Sequence, residues 1–237
     1  MRKQIEIPDC SSCKARINSV FGELSEDELE YWHSTKGSNF YRKGQVIFYE
    51  GNYPSGLYCI HDGKVKLYKI GQEGKEQIIR LAKAGDILGY RALISGDEYI
   101  ASASTLEDSR VCFIPKDTIF DLFKKNMDFS LYLVKLLSQD LEHVENRMVN
   151  LAQKPVRERL AEALLILKET YGMEKGNNTY INIALSREDL ANIVGTATET
   201  VIRLLAEFKN EKLIATKGKK IEILNLNRLI KVCNISD

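Results

Sequence analysis

Two groups of residues in this 237-residue chain have types and spacings that could do chemistry. The first lies in GTATETVIRLLAEF, residues 195–208, where Glu199 and Arg203 stand four apart and share one face of a helix. A carboxylate there can accept from cytosine N4, and a guanidinium can donate two bonds to guanine O6 and N7. The bland alternatives are a capping box between Thr196 and Glu199, or an i, i+4 ion pair worth only about 0.3–0.5 kcal/mol. The second group is sulfur. Cys10 and Cys13 form a C-x-x-C pair, and Cys59, Cys112 and Cys233 follow later in the chain. Thiolates ligate soft metals, so a zinc site completed by His33 fits the donor chemistry. The other reading is a pair of thiols, free or reversibly oxidised.

The elements that must position Glu199 and Arg203 are legible. Val201, Leu204, Leu205 and Phe208 recur at i, i+3, i+4 and i+7, one buried stripe of an amphipathic helix. Thr198, Glu199, Ile202 and Arg203 fall on another face, and water has little use for Ile202 there. Upstream, SREDLANIVG predicts a shorter helix, begun by a capping box of Ser186 with Asp189 and ended at Gly195. Two helices joined by a short glycine turn are a helix-turn-helix, whose second helix enters the DNA major groove. Next, LIAT-KGKK-IEIL predicts a hairpin with Lys217, Lys219 and Lys220 at its tip, a basic wing able to meet phosphates. In that context base reading is the expected role of Glu199 and Arg203. The expected DNA-contacting set is Ser186, Arg187, Thr198, Glu199, Ile202, Arg203, Lys217, Lys219 and Lys220.

The rest of the chain changes character twice. Residues 40–114 read as all-β, with short β-branched and aromatic runs separated by glycines, as in a sandwich or barrel. HDGK and GQEGK predict hairpin turns. Residues 127–152 then read as one helix. Val134, Leu137, Leu141, Val144, Met148 and Leu151 are spaced 3-4-3-4-3, the seam of a helix that pairs with its own copy. Pro155 stops it. Val156 to Glu169 is amphipathic, YGMEKGNN reads as a loop and YINIAL as a strand. The expected organisation is an N-terminal cysteine segment 1–20, a β-roll 21–126, a dimerisation helix 127–153 and a winged helix-turn-helix 154–237. The class is α+β.

Composition sets outer bounds. The chain is 44% hydrophobic and 28% charged, which excludes a disordered class. Its apolar runs are too short to span a membrane, so no membrane partner is expected. MRKQIEIPDCSSCK lacks the apolar core of a signal peptide, which places the expected thiols in a reducing cytoplasm. Net charge is +1, so no global basic field announces a nucleic acid. No Ser/His/Asp arrangement, phosphate-binding loop or dinucleotide fingerprint appears, and no enzyme is expected. The competing class is a nucleotide-binding regulatory module that acts through protein partners.

KGQVIFYEG, LYCIHDGKVKLY, GDILGYRAL, LSREDLANIVGTATETVIRLLAEF and KGKKIEI, in this order, resemble the CRP/FNR superfamily of bacterial transcription regulators. The resemblance covers nearly the whole chain. It implies a β-roll related to cyclic-nucleotide-binding domains, a homodimer, a palindromic double-stranded DNA site with TGA-containing halves read by Glu199 and Arg203, and contact with RNA polymerase. One departure is Ala197, where the family has Ser or Thr at the helix start; capping is expected to pass to Thr196 or Thr198. Thr198 and Ile202 also differ from familiar members at positions facing the outer bases.

The signal is where the sequence departs furthest. Cyclic-nucleotide binders of this superfamily carry a Glu after the second glycine of G-D-x-x-G, for the ribose, and an Arg-Ser or Arg-Thr pair for the cyclic phosphate. Here Tyr90 follows Gly89, and Ile100 and Ala101 replace the pair. An aliphatic side chain cannot neutralise a phosphate. Arg91 is the remaining cation of the expected effector pocket, and cyclic AMP is not the expected ligand. The oxygen-sensing members hold an iron–sulfur cluster on C-x₂-C-x₅-C and a distant cysteine. Cys10, Cys13 and Cys112 match three of these positions, and Ser19 stands at the other. The resemblance therefore leaves a cluster with Asp9, Ser19 or water as fourth ligand as one alternative. Cys59 reads as a packed small hydrophobe and Cys233 as uninvolved.

Overall fold

The computed structural model describes residues 8–17, 19, 21–22, 24–175 and 178–233. Residues 1–7 of the expected cysteine segment, and Gly176 and Asn177 of the expected loop, lie outside the described residues. The chain divides into two compact units, residues 1–75 with 79–142 and residues 76–78 with 143–237. The division falls inside one long helix and inside one strand, whose first three residues go with the second unit.

The first unit begins with α1 (Lys14–Ile17) and α2 (Glu26–Thr35), then β1 (Gly37–Tyr41), β2 (Val46–Phe48), β3 (Gly56–Asp62), β4 (Lys64–Ile70), β5 (Glu76–Lys83) and β6 (Ile87–Leu88). After α3 (Tyr90–Ser95) come β7 (Ser102–Thr105), β8 (Ser109–Pro115), α4 (Lys116–Lys125) and the long α5 (Met127–Gln153). The strands make two four-stranded sheets, ordered β1-β8-β3-β6 and β2-β7-β4-β5. Side chains alternate between the faces of each strand. On β3, Ile60 joins Phe48, Val65, Leu88 and Val111 in one cluster, while Leu57 joins Trp32, Ile114, Ile119, Phe129 and Leu133 in another. The first cluster is the roll interior. The second is where α2, α4 and the start of α5 cover the outer face of the β1-β8-β3-β6 sheet.

Several elements escape the sequence reading. HDGK is not a hairpin, because β3 and β4 belong to different sheets and the turn carries the chain from one to the other. Gly63 makes the corner at φ 102°, and a Cβ there would sit 2.1 Å from Ser109 Oγ. GQEGK does join the neighbouring strands β4 and β5. The short helix α3 interrupts the region read as all-β. β7, built from the small residues SAST, is buried along its whole length. α2 starts at a capping box in which Ser25 and Glu28 exchange bonds.

The second unit contains α6 (Val156–Tyr171), β9 (Gly172–Lys175), β10 (Asn178–Ile181), α7 (Arg187–Val194), α8 (Thr198–Asn210), β11 (Ile214–Lys217), β12 (Lys220–Ile223) and α9 (Leu226–Val232). Its sheet runs β11-β12-β10-β9. The YGMEKGNN segment is thus part strand rather than loop, since β9 pairs antiparallel with β10. Leu160, Leu164, Leu190, Val201, Phe208, Leu213 and Leu229 are buried together as its core.

Candidate functional site

The helix-turn-helix is built from local signals. Ser186 caps α7: its Oγ accepts from Asp189 N at 2.9 Å, and Ser186 N donates to the Asp189 carboxylate at 3.0 Å. Such a cap stabilises a helix by about 1 kcal/mol. Gly195 ends α7 in the left-handed region, φ 74°, where side-chain-bearing residues are disfavoured. The expected cap of α8 does not form. Ala197 is the N-cap and supplies no side-chain bond, and neither Thr196 nor Thr198 replaces it. A methyl has no acceptor for the orphan N–H groups of the first turn. Burial of Val201, Leu204, Leu205 and Phe208 holds α8 down instead, at roughly 1.5–3 kcal/mol per side chain.

The outer face of α8 carries Glu199, Ile202 and Arg203, all exposed, with Thr198 half-exposed at its start. Ile202 is 51% exposed, an apolar side chain standing in water between two charges. The ion pair of Glu199 with Arg203 considered from the spacing does not form. Arg203 Nη1 pairs one turn further on with Glu207 Oε1, at 2.7 Å. Glu207 also accepts from Arg157 Nη1 at 3.1 Å, so it does not depend on Arg203 for a partner. The wing stands as a hairpin in which Lys217 and Lys220 face each other in register, with Lys219 beside them and all three exposed. Like charges directly opposite destabilise a hairpin, and an anion between them would remove that cost. Arg187 Nη2 donates to Gly218 O at 3.1 Å, tying the start of α7 to the wing tip.

On α5, Val134, Leu141, Val144, Met148 and Leu151 are exposed in the single chain. Leu137 differs: it is half-buried against the cluster under α2 and α4. A helix that kept this stripe for its own roll would bury the other members too.

The expected effector residues fall into two environments. Gly89 precedes α3 at φ 82°, and Tyr90 is buried beneath it with its hydroxyl donating to the Asp140 carboxylate of α5. Arg80 Nη1 donates to the Tyr90 oxygen at 3.1 Å. Arg91 Nη2 lies 2.7 Å from the same Asp140 carboxylate, so the remaining cation is engaged. Ala101 is buried, but Ile100 is 57% exposed and takes no part in lining a pocket with it.

The sulfur atoms are arranged in a way their spacing does not reveal. Cys59 on β3 and Cys112 on β8 face each other in register, and Ser38 on β1 faces Cys112 from the other side. Lys36, buried just before β1, places Nζ 2.8 Å from Cys10 Sγ and also donates to Pro8 O. Cys13 Sγ lies 3.3 Å from His61 Nδ1. Burial pushes the Cys59 thiol well above its ordinary range, and the neighbouring Cys112, Cys13 and Cys10 push it further. Burial likewise raises Cys112, against the pull of Lys36 and Ser38. Cys59 packs against the hydrophobic cluster under α2 and α4, as expected of a small core residue, and is also the cross-strand neighbour of Cys112. The other oxygen donors considered are committed elsewhere. Ser19 Oγ donates to Arg16 O at 2.7 Å and accepts from Phe21 N at 3.2 Å, and Asp9 holds Ser11 and Ser12. His33 lies 3.9 Å from Asp9, its side chain 43% exposed. Cys233 is buried in the second unit, its thiol raised to about 11 by burial.

Residues 38–126 match the cyclic nucleotide-binding domain family, and residues 158–232 match the Crp-like helix-turn-helix domain family. The chain is 32% identical over 232 residues to the fumarate and nitrate reduction regulatory protein of Vibrio cholerae, covering 98% of this chain and 92% of that one. It is 32% identical to the protein of the same name from Yersinia pestis, covering 96% and 90%. Among solved structures, a CRP/FNR-family transcriptional regulator of Thermus thermophilus is 28% identical with a TM-score of 0.69, over 83% of this chain and 98% of that one. FixK2 from Bradyrhizobium japonicum shares the fold at a TM-score of 0.75 and 24% identity, over 85% and 99%. With a sensor-type roll, a long helix and a winged helix-turn-helix in this order, the chain belongs to the CRP/FNR family of DNA-binding transcription regulators.

Proposed function

We propose that the protein works as a homodimer, paired through the α5 seam, that reads a palindromic DNA site with the outer face of each α8. Glu199 and Arg203 read base edges, Thr198 and Ile202 meet the flanking bases, and Ser186, Arg187, Lys217, Lys219 and Lys220 hold phosphates. The observation that carries this reading is Ile202, exposed between Glu199 and Arg203 on a helix whose opposite stripe is buried. Half-sites about one or two helical turns apart would match the two-fold, and a bound regulator of this kind would meet RNA polymerase. No catalytic role is assigned to any residue. The test is a binding titration on a palindrome and on random DNA at several salt concentrations. Preference for the palindrome, with binding that falls as salt rises, is the expected result; equal affinity for both would refute base reading.

Against cyclic AMP as the signal stand Arg91, held by Asp140, and Ile100, which faces solvent. A second reading is favoured by the sulfur face of the roll: redox or oxygen sensing through cysteine ligands. The donor set fits an iron–sulfur cluster, since thiols gather beside the buried Lys36 ammonium and the buried Ser38 hydroxyl next to Cys112. When bound, such a group would supply an oxygen-sensitive centre.

A further inference from the structure

We propose that Cys59 is a ligand of this centre, completing a four-thiolate set with Cys10, Cys13 and Cys112 in place of the missing thiol at Ser19. The inference rests on the redox reading and names the residues that would serve it.

The placement follows from strand pairing. Cys59 and Cys112 are direct partners across an antiparallel pair, so their Cβ atoms lie about 4.5–5.5 Å apart on one face. It is the outer face of the β1-β8-β3-β6 sheet, because Leu57 and Ile114, two residues from Cys59 and Cys112 along their strands, belong to the outer cluster. Cys10 belongs to that same cluster, and Cys59 packs against it. Two polar ties bring the N-terminal cysteines onto this face. Lys36, two residues before Ser38 in the same row, reaches Cys10; His61, two residues after Cys59, reaches Cys13.

Ser19 cannot serve as the third N-terminal ligand without breaking the turn it makes. Its hydroxyl bonds both Arg16 O and Phe21 N, and an alcohol is a poor partner for iron beside thiolates. The roll therefore supplies a thiol from within its own sheet.

The group proposed is a cluster rather than a single ion. A zinc ion with four bonds of 2.3 Å holds its sulfurs about 3.8 Å apart. Among the described residues, no three Cys, His, Asp or Glu side chains are placed to hold one ion. An iron–sulfur cluster instead distributes its thiolates over several iron atoms. Each thiol would release its proton to solvent and form one S–Fe bond, displacing a water or small thiolate from iron. Lys36, buried with its ammonium on Cys10, offsets the resulting negative charge. The Ser38 hydroxyl beside Cys112 can donate to sulfur, the kind of contact that tunes such centres.

The full-length protein, isolated without oxygen and reconstituted under nitrogen with iron salts, sulfide and dithiothreitol, tests this. Iron, acid-labile sulfide and visible absorbance are measured, with circular dichroism to check folding. Wild type should carry iron and sulfide in equal amounts. Cys59→Ser and Cys59→Ala should each lose at least tenfold, while Ser19→Ala and Cys233→Ser keep the wild-type content. Retention by both Cys59 variants would overturn Cys59 as the substitute ligand and leave the redox reading standing. A wild type that takes up neither iron nor sulfide, or binds only zinc when offered both metals, would overturn both. Should neither Cys59 variant fold, alkylation of the wild type decides. Iodoacetamide should label Cys59 at least tenfold more slowly in the iron-loaded protein than in the stripped one, and equal labelling would overturn the assignment.

Discussion

The Asp140 carboxylate lies 2.7 Å from Nη2 of Arg91 and also accepts from the buried Tyr90 hydroxyl. The two residues that open α3 are thereby fastened to α5, the helix that carries the exposed apolar stripe. Tyr90 stands where cyclic-nucleotide binders of the superfamily place a ribose-gripping Glu, and here its hydroxyl is bound to Asp140. Any movement of α3 in the roll must move Asp140 or break this joint.

Asp140→Ala should therefore cost about 2–3 kcal/mol in unfolding free energy. Asp140 has only 12% of its side chain exposed, and its removal takes the acceptor from the buried Tyr90 hydroxyl and the counter-charge from the partly exposed Arg91. Tyr90→Phe, which removes one hydrogen bond and keeps the ring, should cost about 1 kcal/mol. Urea titrations of the two variants give the comparison. Equal stability of wild type and Asp140→Ala would show that water serves these groups as well as the carboxylate.

The same joint predicts that the roll ignores cyclic AMP and cyclic GMP. Binding either phosphate would require Arg91 to leave Asp140, and Ile100 and Ala101 offer no replacement charge. Calorimetry with millimolar ligand should give no saturable heat. A micromolar dissociation constant would mean that Arg80, Arg91 or another cation is recruited to the phosphate.

Charge placed in the α5 seam should separate the protomers. Leu141→Glu with Val144→Glu puts four carboxylates across the two-fold of a dimer, where unpaired charges are expensive to bury. Both positions are exposed in the single chain, so the fold of each protomer should survive. Sedimentation should find wild type dimeric at micromolar concentration and the double variant monomeric. A monomeric wild type would mean that the apolar stripe meets something other than its copy.

The contrast between the DNA-reading elements and the sulfur face shows what a sequence can reveal. α7, the turn and α8 are written in local terms: S-x-x-D for a cap, a glycine for the left-handed stop, and a stripe at helical spacing. All act within a few residues of one another. Cys59 and Cys112 meet only because β3 pairs with β8, a register decided by packing across the whole roll rather than by either strand. Spacing alone therefore reads Cys59 as core, and only the family resemblance marks Ser19 as the gap in a ligand set. The same limit hides β9, drawn into shape by its partner β10, and β7, whose Ser-Ala-Ser run lacks the large β-branched and aromatic side chains that mark a strand.

Arg203 and Lys219 should fail in different ways when removed. Arg203 is paired with Glu207 on an exposed face, its side chain 66% exposed, and such an i, i+4 pair is worth only about 0.3–0.5 kcal/mol. Exchanging it for a bidentate bond to guanine is therefore easy, and Arg157 remains to satisfy Glu207. Arg203→Ala should cost about 1–3 kcal/mol on a palindrome that carries the guanine, roughly 5- to 150-fold in affinity. It should cost far less where that base is changed, so discrimination at this position collapses. Lys219 sits exposed at the tip of the wing, and a cation that meets phosphate carries no sequence information. Lys219→Ala should weaken specific and random DNA alike and reduce the salt slope by about one ion. Fluorescence anisotropy on the palindrome, its single-base variants and random duplex, each at three salt concentrations, separates the two behaviours. Equal loss on specific and random DNA for Arg203→Ala would place that side chain on the backbone and remove it from base reading.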